Sequence, residues 1–462
     1  MPIEMKRLYA LLFFCALIVF VMPAVSPAQS GAPPSESERR DLTARAYVFT
    51  LPSVIMYRTR WALRQDPAAA FRLSANRFGH RRVPATPESR AVTAPNVDTL
   101  YSSAWLDLSD GPVRLHVPAT GDRYYSLQFM DFFTNSFAYI GRRTGTTAGG
   151  TFLIVGPDWR GEARKDQPLI KAPTNAVWLL GRFLFDGTED LARANALQDA
   201  LRLEPLSPAA SAAAARPRDW DEDDPLHHFV LANRALRENP PPAEERDLMR
   251  EFARIGVGPD GDFDPAALNA RQRQVMREAI DGVETRIQGL LAMARGGDNG
   301  WTSPRADLGN YGRAYFYRAI VAKLGLGANI PAEAMYFRSV RDDGGGAPDG
   351  RHRYRLHFPA GALPPVDAFW SLTMYRSEAD LRQFLVPNAI DRYAIGDRTP
   401  GLQRNADGSL DIHIQHEPPA PDLRANWLPA PAGPFGLSLR AYQPGPAMLS
   451  GDYRLPPLKR ID

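Results

Sequence analysis

One stretch of this 462-residue sequence gathers side chains that can do acid–base work. Ala94-Pro95-Asn96-Val97-Asp98-Thr99-Leu100-Tyr101-Ser102 sets polar residues around two apolar ones. Asn and Asp after a proline can fix a turn by bonding their own backbone. The same groups can instead line a pocket, with Asp98 and Tyr101 as acid–base partners. Asp131 is a second carboxylate of interest. It continues the alternation of Tyr125, Leu127 and Phe129 and is expected on their face. A carboxylate on a core face must be paired or neutralised. That is a structural device, and also a way to tune an acid–base pKa. Gln128 and Asn135 are its expected polar neighbours. In the C-terminal half, Trp427 sits in a Pro-rich loop, and Arg440 stands near Tyr442. Trp and Tyr beside Arg can stack on a sugar ring or aromatic ligand; a packed Trp pinning the loop is the alternative. The catalytic candidates are therefore Asp98, Tyr101 and Asp131. The ligand-binding candidates are Asn96, Gln128, Asn135, Tyr375, Trp427 and Arg440.

Other chemistries lack their motifs. The sequence has no G-x-S-x-G, S-x-x-K, H-E-x-x-H, P-loop or G-x-G-x-x-G. His413 and His416 are three apart on an expected strand, and His352 and His357 are five apart, so each pair faces opposite ways. His227 and His228 are adjacent at the start of an expected helix and diverge. No metal and no cofactor is expected. The acidic run 219–224 precedes a helix and reads as capping; it lacks the ligand alternation and Gly of a calcium loop. The net charge of +3 is too balanced for a nucleic-acid footprint. Arg so outnumbers Lys throughout that the preference identifies no site.

The elements that must position these residues follow from pattern. Residues 38–63 have helical spacing, with Pro52 kinking or interrupting the helix. Residues 113–117, 125–129, 151–155 and 176–185 read as short strands punctuated by Gly and Pro. That favours an antiparallel sandwich over a βαβ fold. Residues 191–203, 226–236, 244–254, 266–294 and 311–324 have helical period, and 209–218 reads as a loose Ala/Pro linker. Strands then return to the end. Residues 336–340 and 353–358 flank a Gly-rich turn and read as a hairpin.

The first residues read as an address. Lys6 and Arg7 precede a 15-residue apolar run over 8–22, which is short for a span of about 20 residues. Pro23 and Ser26-Pro27-Ala28 complete a secretory signal over 1–28. Cleavage there leaves about 434 residues and removes Cys15, the single cysteine, and with it thiol chemistry and disulfides. The expected location is periplasmic or secreted, with no transmembrane span after cleavage. Residues 29–37 read as a disordered leader.

These segments together resemble the bacterial pairing of domains of unknown function DUF1254 and DUF1214. Residues 96–102, 105–108, 111–118 and 125–134 look like the first. Residues 369–375, 405–410, 426–433 and 439–444 look like the second. The resemblance implies a fold of mixed β and α: an N-terminal immunoglobulin-like β-sandwich over 38–190, a central helical domain over 191–309 and a C-terminal jelly-roll-like β-sandwich over 310–462. It implies no activity. The stretch 209–224 matches no motif of the pairing. Three functions are then open. The first is binding or processing a small molecule or glycan between domains, where pockets are favoured. The second is a carboxylate-dependent hydrolase or lyase. The third is an envelope interaction protein without a pocket, for which self-association into a homo-oligomer is open.

Overall fold

The computed structural model describes residues 33–69, 72–90, 92–165, 167–207, 216–292, 296–378 and 382–462. The expected signal segment, Cys15, and residues 208–215 of the Ala/Pro stretch lie outside the described residues.

Helix α1 (Glu36–Arg64) opens the described chain. Its N-terminus is a capping box: the Ser35 hydroxyl accepts from the Glu38 N–H, and the Glu38 carboxylate accepts from the Ser35 N–H at 2.9 Å. The helix thus starts inside the segment expected as a leader. Pro52 does not interrupt it. Phe49, Leu51, Val54 and Met56 are buried around the proline, and their packing outweighs the missing N–H bond.

Eight strands follow: β1 (Gly79–His80), β2 (Thr99–Asp107), β3 (Val113–Val117), β4 (Tyr125–Met130), β5 (Ser136–Gly141), β6 (Gly150–Val155), β7 (Leu169–Lys171) and β8 (Ala176–Leu184). Helix α2 (Leu191–Ala200) then leads into β9 (Arg202–Pro205). They form two sheets, ordered β1-β2-β8-β4-β5 and β7-β6-β3-β9. A shared core of Leu106, Leu115, Leu127, Phe129, Ile154 and Phe183 joins them. Every pairing is antiparallel except β6 with β7.

The middle is helical: α3 (His227–Glu238), α4 (Arg246–Ala253) and α5 (Ala270–Ala292), then the short β10 (Trp301–Thr302) and α6 (Tyr315–Leu324). Phe49 of α1 shares a core with Phe229, Phe252, Met276 and Ala319, while Val54, Met56 and Tyr57 pack on Trp105, Met130 and Leu180, so α1 bridges the helices and the first sheet.

The last part returns to strands: β11 (Ala334–Ser339), β12 (Tyr354–Phe358), β13 (Val366–Ser377), β14 (Gln383–Phe384), β15 (Ala394–Gly396), β16 (Leu410–Gln415), β17 (Trp427–Pro429), β18 (Phe435–Pro444) and β19 (Leu458–Arg460). One sheet runs β10-β11-β18-β13-β14, with β15 also on β13; the other runs β17-β16-β12-β19. Phe337, Leu356, Leu372, Ile412 and Leu439 lie in their common core. The expected hairpin of 336–340 with 353–358 does not form. β11 pairs with β18, and β12 pairs with β16 in the other sheet. The Gly-rich turn passes between sheets, which lets Phe337 and Leu356 enter one core from opposite sides.

The fold is therefore mixed β and α, with two β regions on either side of a helical one in the chain. One strand shows how the β regions meet. β4 is buried along its whole length, Tyr125–Met130. Tyr125, Leu127 and Phe129 face the first core, while Gln128 on the other face is covered by Ala328 and Asn329's neighbourhood, through its 2.9 Å bond to the Ala328 carbonyl. The second face of the first sheet thus looks toward the second face of the sheet built on β11, β18 and β13.

Candidate functional site

Strand register sets up a polar face on each side. In the first sheet, Tyr101 of β2 lies opposite Arg182 of β8, with Ser126 of β4 beyond it. In the facing sheet, Tyr336, Arg440 and Ser371 form one row across β11, β18 and β13. Arg338, Ser438 and Thr373 form the next row on the same face. Ala334, Tyr442 and Phe369 form the row on the other side. Neighbouring rows are two residues apart along a strand, which keeps their side chains on one face.

The chain before β2 bridges the two faces. Asn96 makes the turn: its Oδ1 accepts from the Asp98 N–H at 2.6 Å. Its Nδ2 donates to the Thr99 hydroxyl at 3.1 Å and to the Tyr442 phenol at 2.7 Å. Turn-making and site-building thus fall to one residue. The Ser371 hydroxyl donates to Asp98 Oδ2 at 2.6 Å. Arg440 donates to the Thr373 hydroxyl at 2.9 Å, the Tyr375 oxygen at 2.8 Å and the Ala94 carbonyl at 2.9 Å. The Tyr375 phenol donates to the Pro95 carbonyl at 2.8 Å. Ala94 has φ of 49°, a left-handed conformation that costs a residue with a Cβ about 1–2 kcal/mol. The bond from Arg440 to its carbonyl helps hold it there.

The far wall is held the same way. Arg182 donates to Gln128 Oε1 at 2.8 Å and Asn329 Oδ1 at 3.1 Å, and its guanidinium lies 5.4 Å from the Tyr101 ring centroid. Gln128 is thus a support beneath the site. Tyr442 stacks on Phe369 at 4.1 Å, with Tyr124 edge-on to Tyr442 at 5.2 Å. Tyr124 donates to Glu333 at 2.9 Å, and Arg143 holds the other Glu333 oxygen at 2.6 Å.

Between the walls, polar side chains that are not all fully buried border a space, the chamber. Asp98, Tyr101 and Tyr336 are half-buried and Arg338 keeps exposed surface, although all four lie where the sheets face each other. Burial nonetheless pushes the Asp98 carboxyl above its ordinary range, opposed by Arg440 and the Ser371 bond. Burial likewise lowers the Arg338 guanidinium, with the Arg440 charge adding to the effect. Asp397, whose Oδ1 accepts from the Trp370 N–H at 3.3 Å, is pushed up to about 6 by burial, and the Asp98 charge adds to this. Burial also raises the phenols of Tyr336 and Tyr375, so both stay protonated donors at neutral pH.

Three expected residues lie elsewhere. Asp131 follows the end of β4, so the strand alternation does not reach it; it closes a tight turn instead. Its carboxylate accepts from the Phe133 and Asn135 N–H groups at 2.9 and 2.8 Å, and from the Asn135 side-chain amide at 2.9 Å. Burial raises its pKa, those bonds oppose it, and it borders a cavity of about 70 Å³ with Arg318. Asp131 and Asn135 are thus turn partners apart from the chamber. Trp427 lies in β17, in the sheet beyond the second core. It is buried there, with its indole N–H on the Gln415 carbonyl at 2.9 Å. A larger groove of about 990 Å³ runs beside Trp301, Phe337 and Tyr453. Its charged pair, Asp298 and Arg454, 3.9 Å apart, is exposed and brings no buried polar group to it.

Sequence reading missed Arg182, Tyr336, Arg338, Ser371 and Asp397. Arg182 and Arg338 did carry a signal: each is a lone charge inside an apolar strand, a position that needs a polar partner or a polar space.

Comparison with known proteins agrees with this architecture. Residues 75–205 match the family described as a protein of unknown function (DUF1254), and residues 333–446 match a second such family (DUF1214). The first contains Asn96, Asp98, Tyr101 and Arg182; the second contains Arg338, Ser371, Tyr375 and Arg440. Among solved structures, the chain is similar to the VPA0106 protein from Vibrio parahaemolyticus, with 25% identity and a TM-score of 0.68, over 92% of this chain and 100% of that one. It also aligns with a putative uncharacterized protein from Burkholderia cenocepacia at 12% identity and a TM-score of 0.43, over 89% and 91% of the two chains. No curated protein matches. With both of its β regions matched in order, the chain is a member of the DUF1254/DUF1214 domain-containing family.

Proposed function

We propose that this protein binds or processes a small polar molecule or glycan in the chamber between its two β regions. The observation that carries the reading is convergence. Asn96, Asp98 and Tyr101 come from the first region and Tyr375 and Arg440 from the second, and the Asn96–Tyr442 and Ser371–Asp98 bonds tie them together. Polar groups held by neighbours with little freedom left are the usual makings of a specific site. We read the first region as an immunoglobulin-like sandwich and the last as a jelly-roll-like one. We place the protein in the periplasm or outside the cell, on the strength of the N-terminal address.

A second reading rests on Asp98. A carboxyl raised by burial, bonded to a hydroxyl and near a phenol, is equipped as a general acid. In this reading Asp98 gives its proton to a leaving group and Tyr101 assists, as in a hydrolase or lyase. Asp131 has no part in it, because it lies in its own turn apart from the chamber.

Thermal-shift screening against sugars, organic acids and their amides tests the reading. A ligand should raise the melting temperature of the wild type, and Asp98→Asn and Tyr336→Phe should each lose most of that rise while still folding. If no ligand shifts the protein, or if the shift survives both substitutions, the chamber is not a binding site.

A further inference from the structure

The chamber holds more positive charge than its own carboxyls balance. Arg338 projects from β11 on the chamber face, diagonal to Arg440 across the Tyr336–Arg440 and Arg338–Ser438 register. Diagonal neighbours on adjacent strands are about 7–8 Å apart. Among the described residues Arg338 has no carboxylate within ion-pair distance; only its backbone is bonded, to Thr302. Arg440, 5% exposed, spends its bonds on the neutral acceptors Thr373, Tyr375 and Ala94. Arg182, also 5% exposed, does the same with Gln128 and Asn329. Arg398 is bound to Asp186 at 2.7 Å. Against these cations stand Asp98 and Asp397, and burial drives both toward the neutral form.

Like charges at diagonal strand positions repel, though water at the exposed Arg338 screens part of this. A protein tolerates this where an anion completes the set. We infer that the Arg338–Arg440 end of the chamber is an anion subsite that takes the carboxylate of a small organic acid. The inference deepens the binding reading above and rests on it. Guanidinium groups present paired N–H donors that match the two oxygens of a carboxylate. The half-buried rings of Tyr101 and Tyr336 leave apolar surface for the body of such a molecule. No bond is made or broken in this step; it is recognition alone.

The test uses the full chain, with acetate, succinate and benzoate each compared with its amide, and with inorganic sulfate and phosphate as further arms. Calorimetric titration reads affinity, and thermal melting reads stability without ligand. At least one carboxylate should bind at least 10-fold more tightly than its amide. Arg338→Met should weaken that carboxylate at least 10-fold. The ligand-free melting temperature of Arg338→Met should stay level or rise, since the substitution relieves repulsion with Arg440. Amides that bind as tightly as their acids, or an Arg338→Met variant with unchanged carboxylate affinity, would overturn the subsite while leaving the chamber as a site for neutral ligands. Sulfate or phosphate binding that matches the best carboxylate overturns the carboxylate assignment. If none of these anions binds, the subsite is refuted, and the neutral-ligand screen above decides the chamber by itself.

Discussion

Asn96 shows how one residue can serve both turn and site. With Oδ1 it fixes the Asp98 backbone, and with Nδ2 it reaches Tyr442 from the other β region. It is 8% exposed, so its partners are left without water when it is removed. Asn96→Ala should cost about 1–3 kcal/mol in denaturant unfolding, the penalty for buried groups left unbonded. It should also weaken ligand binding by moving Asp98. A loss below about 0.5 kcal/mol would mean that Asn96 is surface decoration. At this scale the 94–102 stretch was legible in the sequence, because Pro, Asn and Asp announce a turn by their chemistry. The partners of Asp98 were not. Ser371 is 273 positions away, and only the register of β13 brings it there. Asp397 adds a pH dependence. Its carboxyl titrates near 6, so raising the pH through 6 adds a negative charge beside Asp98. Binding of an organic acid should therefore weaken as pH rises from 5 to 7, and Asp397→Asn should flatten that profile. A profile that Asn leaves unchanged would place the titration elsewhere.

At the scale of elements, the helices α1 and α3 are locked by a buried neutral histidine. His228 Nε2 lies 2.8 Å from the Thr50 hydroxyl, and burial, helped by Arg58, holds the imidazole down to about 3. Above the ordinary value of 6.5 both folded and unfolded chains carry it neutral. Below 6.5 the unfolded chain takes up a proton that the folded chain refuses, so stability falls with falling pH until about 3. The slope approaches about 1.4 kcal/mol per pH unit for one group. His228→Gln should lower stability at pH 7 and remove this part of the acid sensitivity. Equal slopes for wild type and variant between pH 6.5 and 4 would show that His228 is not the group responsible. Strand positions were legible from alternation, as β3 shows, because one of its faces meets a core and the other does not. Pairing was not legible. The Gly-rich turn after β11 looks like a hairpin from its residues, and only the need to fill one core from two sides sends β12 to the other sheet. The expected face of Asp131 failed for a related reason: periodicity carries no mark of where a strand stops.

Over the whole molecule, the two β regions meet through buried polar groups as well as through aromatic clusters such as Tyr124, Phe369 and Tyr442. Glu333 is 1% exposed and joins Tyr124 and Arg143 across that junction. Glu333→Ala should cost about 3–5 kcal/mol, as removal of one partner from a buried charged network does, and Glu333→Gln should recover part of it. The wild type should melt with the β regions as one cooperative unit in calorimetry. Two well-separated transitions would show that the junction is not built as described. The order of strands, helices and strands was legible from pattern. That the outer faces of the two sheets would oppose each other was not, because nothing local in β2, β8, β11 or β18 names its partner sheet. The central claim belongs to this scale: the space between the sheets is a binding site. A crystal structure with the best ligand from the thermal-shift screen tests it most directly. Density for the ligand should lie among Asp98, Tyr101, Tyr336 and Arg440. Density in the groove beside Trp301 and Tyr453, with the chamber unchanged, would contradict the account.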